Sequence, residues 1–358
     1  MRDTEIQRIA RALGRDVRVS RTLAGGFSHE TSLLAVGDGA VGDGAVGDGA
    51  VGVGAVGVGA VVARVGGPDP EIEAAVMALA RPHVPVPGVL AVLPATGDAR
   101  PIMLVEYVAG TPLSEVLTAA SGPDTGQMRG LGAEVGRVVA GIAAVRFDRP
   151  GFFTGPGLAV RHDPPWSAQL PGMAEACMAT PGAMARLDPG SRLAWTELCA
   201  AHAPALTRVD AQARLVHADI NPKNILVSRV AGGSGAAGAS GASESSGASE
   251  SSGAGGGWRV DAVLDWEFAY SGCPYGDAAN MARFGAGYPP GFLDGFGAAF
   301  AGSQPAGVPP EPDWAYLGRV LDMFALSDLV TRPAGNPVAG QAAALIRQWV
   351  AVGVPRGI

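Results

Sequence analysis

The chain has 358 residues, with 26 basic against 33 acidic side chains and a formal net charge of −7. Its 47% hydrophobic content allows a large buried core and excludes a disordered chain, and its length suggests one large or two small domains. An acidic chain without a basic stripe is a poor general binder of nucleic acid, so we expect no nucleic-acid partner.

The cysteines and the apolar runs bear on the compartment. Cys177, Cys199 and Cys273 are odd in number and far apart, so they fit neither a disulfide framework nor a zinc site. The polar first residues lack the apolar core of a signal peptide, and every apolar run of membrane-spanning length is interrupted by glycine, proline or charge. We therefore expect a soluble cytoplasmic protein with no membrane partner.

Two segments have low complexity. Residues 35–59 repeat the pentapeptides AVGDG and AVGVG, and this period of five gives a strand no continuous apolar face. Asp38, Asp43 and Asp48 lack the spacing of known calcium loops, so we expect an expanded hairpin loop there. Residues 231–257 are almost entirely Gly, Ala, Ser and Glu between two strand-like runs. We expect them to fill a second hairpin tip, because loop-closure entropy rises only slowly with length.

The element pattern changes along the chain. Residues 4–13 have apolar side chains at helical spacing, and residues 17–107 are mostly strand-like. The predicted strands are 17–23, 31–36, 60–65, 89–93 and 102–107, with one helix at 70–80. After Gly110 long Ala/Leu/Val-rich helices are predicted, among them 127–145, 192–206, 314–330 and 341–350. The pattern predicts an α+β chain with a small β-rich lobe, residues 1–108, and a larger, mostly helical lobe, residues 109–358, with a ligand cleft between them.

The chemically informative residues lie on two short motifs. LVHADINPKNILV, residues 215–227, places His217, Asp219 and Asn224 on a tight polar loop between two apolar runs. VLDWE, residues 263–267, puts Asp265 at the end of the next strand. Without the low-complexity segment, Asn224 and Asp265 are separated by a short hairpin and can meet. Phosphoryl transfer from ATP needs a carboxylate for the attacking hydroxyl and a pair of oxygen ligands for Mg²⁺, and these residues supply both.

These motifs resemble those of the aminoglycoside phosphotransferase/choline kinase-like family, which has a bilobal protein-kinase-like fold. The resemblance covers roughly residues 18–340 apart from the two low-complexity segments. It implies that Asp219 is the catalytic base, that Asn224 and Asp265 are the Mg²⁺ ligands, and that ATP and Mg²⁺ are the cofactors. Asp277, in the related segment GDAANMARF, is expected to brace the catalytic loop. Ala218 departs from the family, which usually has glycine there, and a positive φ at this position would strain alanine.

The resemblance also implies a nucleotide site in the N-terminal lobe. The segment LAGGFSHET resembles the family's nucleotide loop, in which Gly25, Gly26 and Ser28 would approach the phosphates. The stretch ending in EYVAG resembles the approach to the lobe hinge, so that backbone groups near Glu106 and Val108 would contact adenine.

One strand and one helix of this lobe are expected to carry an ion pair. Arg64, in VVARV, stands at the position of the kinase lysine, and its guanidinium can bridge phosphate oxygens. The helix that follows should offer it a carboxylate partner. We favour Glu73 for this role, with Glu71 as the alternative.

The leading hypothesis is an ATP- and Mg²⁺-dependent kinase of a small hydroxylated substrate, cationic and aminoglycoside-like, with a role in antibiotic resistance. Choline- or homoserine-type acceptors remain alternatives, and so does a nucleotide-binding but catalytically silent, pseudokinase-like module that acts through a partner. His217 is expected to be structural. Five acidic residues could line a cationic-substrate pocket or merely keep the surface polar: Glu267, Asp294, Glu311, Asp313 and Asp322. Monomer and dimer are both open.

Overall fold

The computed structural model describes residues 1–23, 29–37, 59–119, 124–230, 257–308 and 311–358. The predicted phosphate contacts Gly25, Gly26 and Ser28 lie outside these residues, as do Asp38, Asp43, Asp48 and nearly all of both low-complexity segments.

The N-terminal lobe is an antiparallel sheet with two helices. Its elements are α1 (Asp3–Leu13), β1 (Val17–Thr22), β2 (His29–Val36), β3 (Ala60–Gly66), α2 (Pro70–Ala80), β4 (Val89–Leu93) and β5 (Ile102–Glu106). The strand order is β1-β2-β3-β5-β4. Helix α2 begins where the sequence predicts, because the Asp69 side chain accepts a hydrogen bond from the Ile72 amide and Pro70 occupies the first turn.

The C-terminal lobe is mostly helical. Its elements are β6 (Thr111–Pro112), α3 (Leu113–Thr118), α4 (Thr125–Ile142), α5 (Trp166–Met178), α6 (Pro181–Arg186), α7 (Pro189–His202), β7 (Arg214–Val216), β8 (Ile225–Arg229), β9 (Trp258–Val263), β10 (Tyr270–Gly272), α8 (Tyr275–Ala282), α9 (Phe292–Gly302), α10 (Trp314–Leu329) and α11 (Pro337–Val352). Strands β8 and β9 form the predicted hairpin, and β7 pairs with β10.

One predicted helix ends early. The sequence pattern predicts a single helix over residues 192–206, but α7 ends at His202 and a 3₁₀ turn, Ala203–Arg208, follows. Pro204 explains the break, because it has no amide hydrogen for the helical ladder and its ring crowds the preceding turn. Within the described parts of the chain, every helix is too short or too polar to span a lipid bilayer.

Strand alternation places the functional side chains of the sheet. Val61, Ala63 and Val65 of β3 are buried in a small core beneath α1. Because successive strand residues point to opposite faces, Arg64 faces the other side, where α2 packs. The second and larger core is continuous from that face into the C-terminal lobe, and it includes Met103 of β5 and Trp266. The two lobes therefore share one hydrophobic core next to Arg64.

Helices α4 and α9 pack backbone to backbone. A Cβ atom added at Gly132 of α4 would lie 2.0 Å from the Phe292 carbonyl oxygen, and one added at Gly136 would lie 2.3 Å from that of Phe296. From the other side, a Cβ at Gly295 would lie 2.0 Å from the Arg129 carbonyl oxygen. Glycine is required at these positions because backbone atoms cannot move aside as the end of a flexible side chain can.

We therefore expect Gly132→Ala to destabilise the protein by about 1–3 kcal/mol or more, the usual cost of forcing extra atoms into a packed core. The matched control is Gly130→Ala on the same helix, where an added Cβ meets nothing within 4 Å. The control should gain about 0.5–1 kcal/mol, because alanine favours an exposed helix position over glycine. Thermal unfolding of the two variants measures the difference, and equal Tm values would contradict the close packing of α4 and α9.

Candidate active site

The loop after β7 is held by a buried carboxylate. Asp277 of α8 accepts hydrogen bonds from the amides of His217 and Ala218, at 2.9 and 2.8 Å. Each of its two oxygens takes one amide. Burial raises the pKa of Asp277 to about 7, against the opposing effect of these two bonds. The side chain thus acts on the backbone of the loop of residues 217–224, as the resemblance implies, and fixes its course.

His217 supports the same loop from beneath. Its imidazole is fully buried, lies 4.6 Å from the Trp266 ring and donates from Nε2 to the Leu264 carbonyl oxygen at 2.9 Å. Its Nδ1 accepts a hydrogen bond from the Asp219 amide at 3.2 Å. Burial lowers the pKa of His217 to about 4, so the ring is neutral, as both bonds require. The predicted structural role of His217 agrees with these contacts.

Asp219 and Asn224 are in direct contact. The Asn224 side-chain amide donates to the Asp219 carboxylate oxygen Oδ2 at 2.9 Å and to its carbonyl oxygen at 3.0 Å. Asn221 donates to the same carbonyl oxygen at 3.1 Å. Because the side-chain nitrogen of Asn224 donates to Asp219, the side-chain oxygen of Asn224 points away from Asp219.

The β8–β9 hairpin brings Asp265 next to this loop. Ile225 pairs with Val263 in the ladder, and the Leu264 amide donates to the Asn224 carbonyl oxygen at 2.8 Å. Asp265 follows directly, with φ at +67°. This left-handed conformation is uncommon outside glycine, and it turns the chain at the point where the carboxylate meets the N-terminal lobe.

Arg64 connects these elements. Its Nη1 donates to the Glu73 carboxylate, its Nη2 donates to Asp265 Oδ1 at 2.6 Å, and its Nε donates to His29 Nε2 at 2.9 Å. The same Glu73 oxygen accepts the Trp266 amide at 3.0 Å. Burial alone would lower the pKa of Arg64, but the carboxylates of Glu73 and Asp265 outweigh it and raise that pKa. The guanidinium is therefore a permanent cation between the two lobes.

The electrostatic setting of Asp219 differs from that of an exposed aspartate. Burial raises the pKa of Asp219 to about 6; the nearby Arg283 cation lowers it and the Asp265 carboxylate raises it. Arg283 is itself buried and donates through Nε to Asp322 of α10 at 3.0 and 3.1 Å. A carboxylate that is poised close to neutral pH and aligned by an amide is suited to accept a proton.

Of the two acids considered on α2, Glu73 is the partner of Arg64. Glu71 is exposed, whereas Glu73 is buried and pairs with Arg64.

The residues expected to contact adenine lie at the end of β5 and just after it. The Glu106 amide donates to the Gly88 carbonyl oxygen at 2.8 Å, so an adenine contact near Glu106 would use a different backbone group. Val108 lies in the half-buried segment after β5. The adenine contacts remain a prediction.

The acids proposed for a cationic pocket are dispersed. Glu311 and Asp313 both pair with Arg208, and Asp294 is exposed. Asp322, which the sequence leaves as a surface acid, is fully buried against Arg283. Only Glu267 lies near Asp265, so these five residues do not form one pocket.

The donor set fits a hard divalent cation at Asn224 and Asp265. Both offer side-chain oxygen, the ligand type that Mg²⁺ prefers, and they lie at adjacent ends of paired strands. Ligand atoms of His29, Asp265 and Glu267 also lie within 4.8 Å of one another. Both groups share Asp265, which accepts a hydrogen bond from Arg64; the second group is the poorer cation site because the Arg64 guanidinium also donates to its His29.

Comparison with known proteins bears on the family and on the fold. The model of the phosphotransferase enzyme family matches residues 62–237, which run from β3 past β8. The match, over just under half of the chain, confirms the resemblance inferred from the motifs. No curated protein matches the chain in sequence.

Two solved structures have the same fold. A candidate aminoglycoside phosphotransferase from Ralstonia eutropha JMP134 is similar with a TM-score of 0.57 and 16% identity, covering 98% of this chain and 97% of the other. Choline kinase LicA from Streptococcus pneumoniae is similar with a TM-score of 0.53 and 11% identity, with the same coverage of both chains. These likenesses confirm the bilobal, protein-kinase-like α+β fold and, at such identities, nothing finer.

Sequence reasoning missed two residues of the site. His29 and Arg283 carry no motif signal that distinguishes them from ordinary surface residues. A hint for Arg283 is its position six residues after Asp277, on the segment already singled out. No sequence signal connects it to Asp322, because that contact joins two helices that are far apart in the chain.

The backbone at Ala218 is strained, as the alanine in place of the family's usual glycine suggests. Its φ is +69°, in the left-handed region that alanine avoids. We expect Ala218→Gly to stabilise the protein by about 0.5–1 kcal/mol, because relief of the Cβ clash exceeds the added entropy of the unfolded chain. The control is Ala262→Gly in strand β9, outside the left-handed region, which should destabilise. Chemical denaturation checks both, and a loss of stability in Ala218→Gly would contradict the strain.

Proposed function

We propose that this protein is an ATP- and Mg²⁺-dependent phosphotransferase that moves the γ-phosphate of ATP to a hydroxyl of a small molecule. The observation that carries the proposal is the contact between Asp219 and Asn224 beside Asp265, with Arg64 donating to Asp265 from the opposite lobe. The family match supports the general activity.

Asp219 is the group that acts on the acceptor. Its carboxylate orients the attacking hydroxyl and takes its proton, while the hydroxyl oxygen forms a bond to the γ-phosphorus and the bond to the ADP oxygen breaks. The amide of Asn224 holds one carboxylate oxygen in place, and Arg283 supplies a buried positive charge nearby. Orientation and charge are the main sources of rate in this chemistry.

Asn224 and Asp265 are the residues that would hold Mg²⁺, which when bound neutralises charge on the transferring phosphates. Arg64 is placed to add a second, permanent positive charge. Its guanidinium presents several N–H groups in one plane, a geometry that suits phosphate oxygens. Glu73 keeps this side chain in the cleft.

For the acceptor we propose a basic hydroxylated compound of the aminoglycoside type. The net charge of −7 favours cations, and the two structural neighbours are described as acting on an aminoglycoside and on choline. Phosphorylation of an aminoglycoside-like antibiotic would be a resistance activity. Choline- or homoserine-type alcohols are the second acceptor class to test.

The activity is tested by ADP release from purified protein with Mg·ATP and a panel of aminoglycosides, peptide antibiotics, choline and homoserine, with mass detection of the product. Asp219→Asn should lower kcat on the order of 10²–10⁴-fold, because it removes the proton acceptor. Its Tm should be unchanged or higher, since a buried charge is lost. Nucleotide binding without ADP release for every acceptor would instead indicate the silent, pseudokinase-like module.

The pH dependence follows from the raised pKa of Asp219. In the folded protein its carboxyl group ionises only as the pH rises through about 6, and only the ionised form accepts a proton. We expect kcat/KM to rise through about pH 6 and to level off above it. A profile that is flat between about pH 5 and pH 8 would contradict this role for Asp219.

A further inference from the structure

His29 is the third hydrogen-bond partner of Arg64, after Glu73 and Asp265, and it has no role in the reaction proposed above. It is the first residue of β2, opposite Gly66 in the β2–β3 ladder, and its side chain is only 5% exposed. The Arg64 Nε–H donates to its Nε2 at 2.9 Å. A small cavity beside it is lined by Arg64, Glu73, Glu267 and the turn at residues 66–70.

Both ring nitrogens of His29 face Arg64. Nε2 accepts the hydrogen bond from Arg64 Nε at 2.9 Å, and a nitrogen that accepts must carry a lone pair, so Nε2 is unprotonated. The other ring nitrogen, Nδ1, lies 3.3 Å from Arg64 Nη2 and 3.7 Å from Glu267 Oε2. His29 therefore meets Arg64 as a neutral acceptor.

The three partners of Arg64 differ in charge and in other duties. Glu73 neutralises much of the guanidinium charge, and Asp265 does the same while also being assigned to the cation. A neutral acceptor fixes the plane of the guanidinium without cancelling its charge. His29 is the partner that can hold Arg64 while leaving it attractive to phosphate.

We infer that His29 is a positioning residue for the nucleotide, which acts through Arg64: it fixes the guanidinium, by its Nε–H, in the orientation that receives the phosphates. This inference rests on the proposed function. In this role His29 acts on the guanidinium and not on the acceptor.

The test compares His29→Leu, which removes the acceptor, with His29→Gln, whose amide oxygen can accept from Arg64 Nε without charge. Calorimetry with Mg·AMP-PNP gives the nucleotide Kd, and steady-state kinetics give KM for ATP and for the acceptor. We expect His29→Leu to weaken binding of the nucleotide analogue and to raise KM for ATP, each by about tenfold. This factor is of the order expected for the loss of one charge-assisted hydrogen bond. His29→Gln should restore most of the loss, and KM for the acceptor should stay the same.

A matched control and a mutant cycle separate positioning from general damage. His83→Leu changes an exposed histidine of the same lobe and should leave the nucleotide Kd unchanged. In an Arg64→Met background, His29→Leu should cause no further loss, because the residue through which it acts is gone. Thermal unfolding of every variant confirms that each is folded.

If the wild-type protein releases ADP, two results would overturn this inference while leaving the proposed function intact. One is wild-type nucleotide affinity in His29→Leu. The other is an equal loss of nucleotide affinity on His29→Leu with and without Arg64. A parallel rise of KM for ATP and for the acceptor would also overturn it, since that would indicate a structural role. Failure of the wild-type protein both to bind the nucleotide and to release ADP overturns the proposed function, and the inference with it.

Discussion

The arrangement of the site depends on the hydrogen bonds that the Arg64 guanidinium donates. The guanidinium bonds to β2 through His29, to α2 through Glu73 and to the C-terminal lobe through Asp265, so one side chain fixes the relative position of three elements. A lysine could keep the charge but not these three directions, because its donors radiate from one nitrogen. The chain uses arginine for all but one of its 26 basic residues, and at position 64 the arginine has this structural consequence.

The loop of residues 217–224 is fixed in a different way, by buried hydrogen bonds to its backbone. Asp277 holds two successive amides, and His217 bridges the loop to the end of β9. These bonds hold Ala218 at a positive φ that it would not adopt alone. Strain and a buried carboxylate both cost stability, and in return the side chains of Asp219 and Asn224 are held in fixed positions.

The sequence predicts the parts of this site that depend on local pattern. The loop of Asp219 and Asn224, the strand-end Asp265 and the helix of Glu73 all follow from apolar runs interrupted by polar residues at short spacing. The contacts of Arg283 with Asp322 and of His29 with Arg64 could not be predicted, because each joins residues from separate elements whose approach depends on tertiary packing. Helix α9 is not among the helices that the sequence analysis names: its three glycines disfavour a helix locally, whereas close packing on α4 requires one of them, Gly295.

The two low-complexity segments leave the described fold at the ends of hairpins that are remote from the site. In β8–β9, Ile225 pairs with Val263 beside Asn224, whereas the segment departs beyond Arg229, about 13 Å further along the strand. In β2–β3, Ala35 pairs with Ala60 at the departure point, and the Arg64 side of the ladder is the opposite end. Added length at such a tip costs little closure entropy and changes no register at the site. The points at which the two segments depart therefore give no reason to regard the protein as catalytically silent.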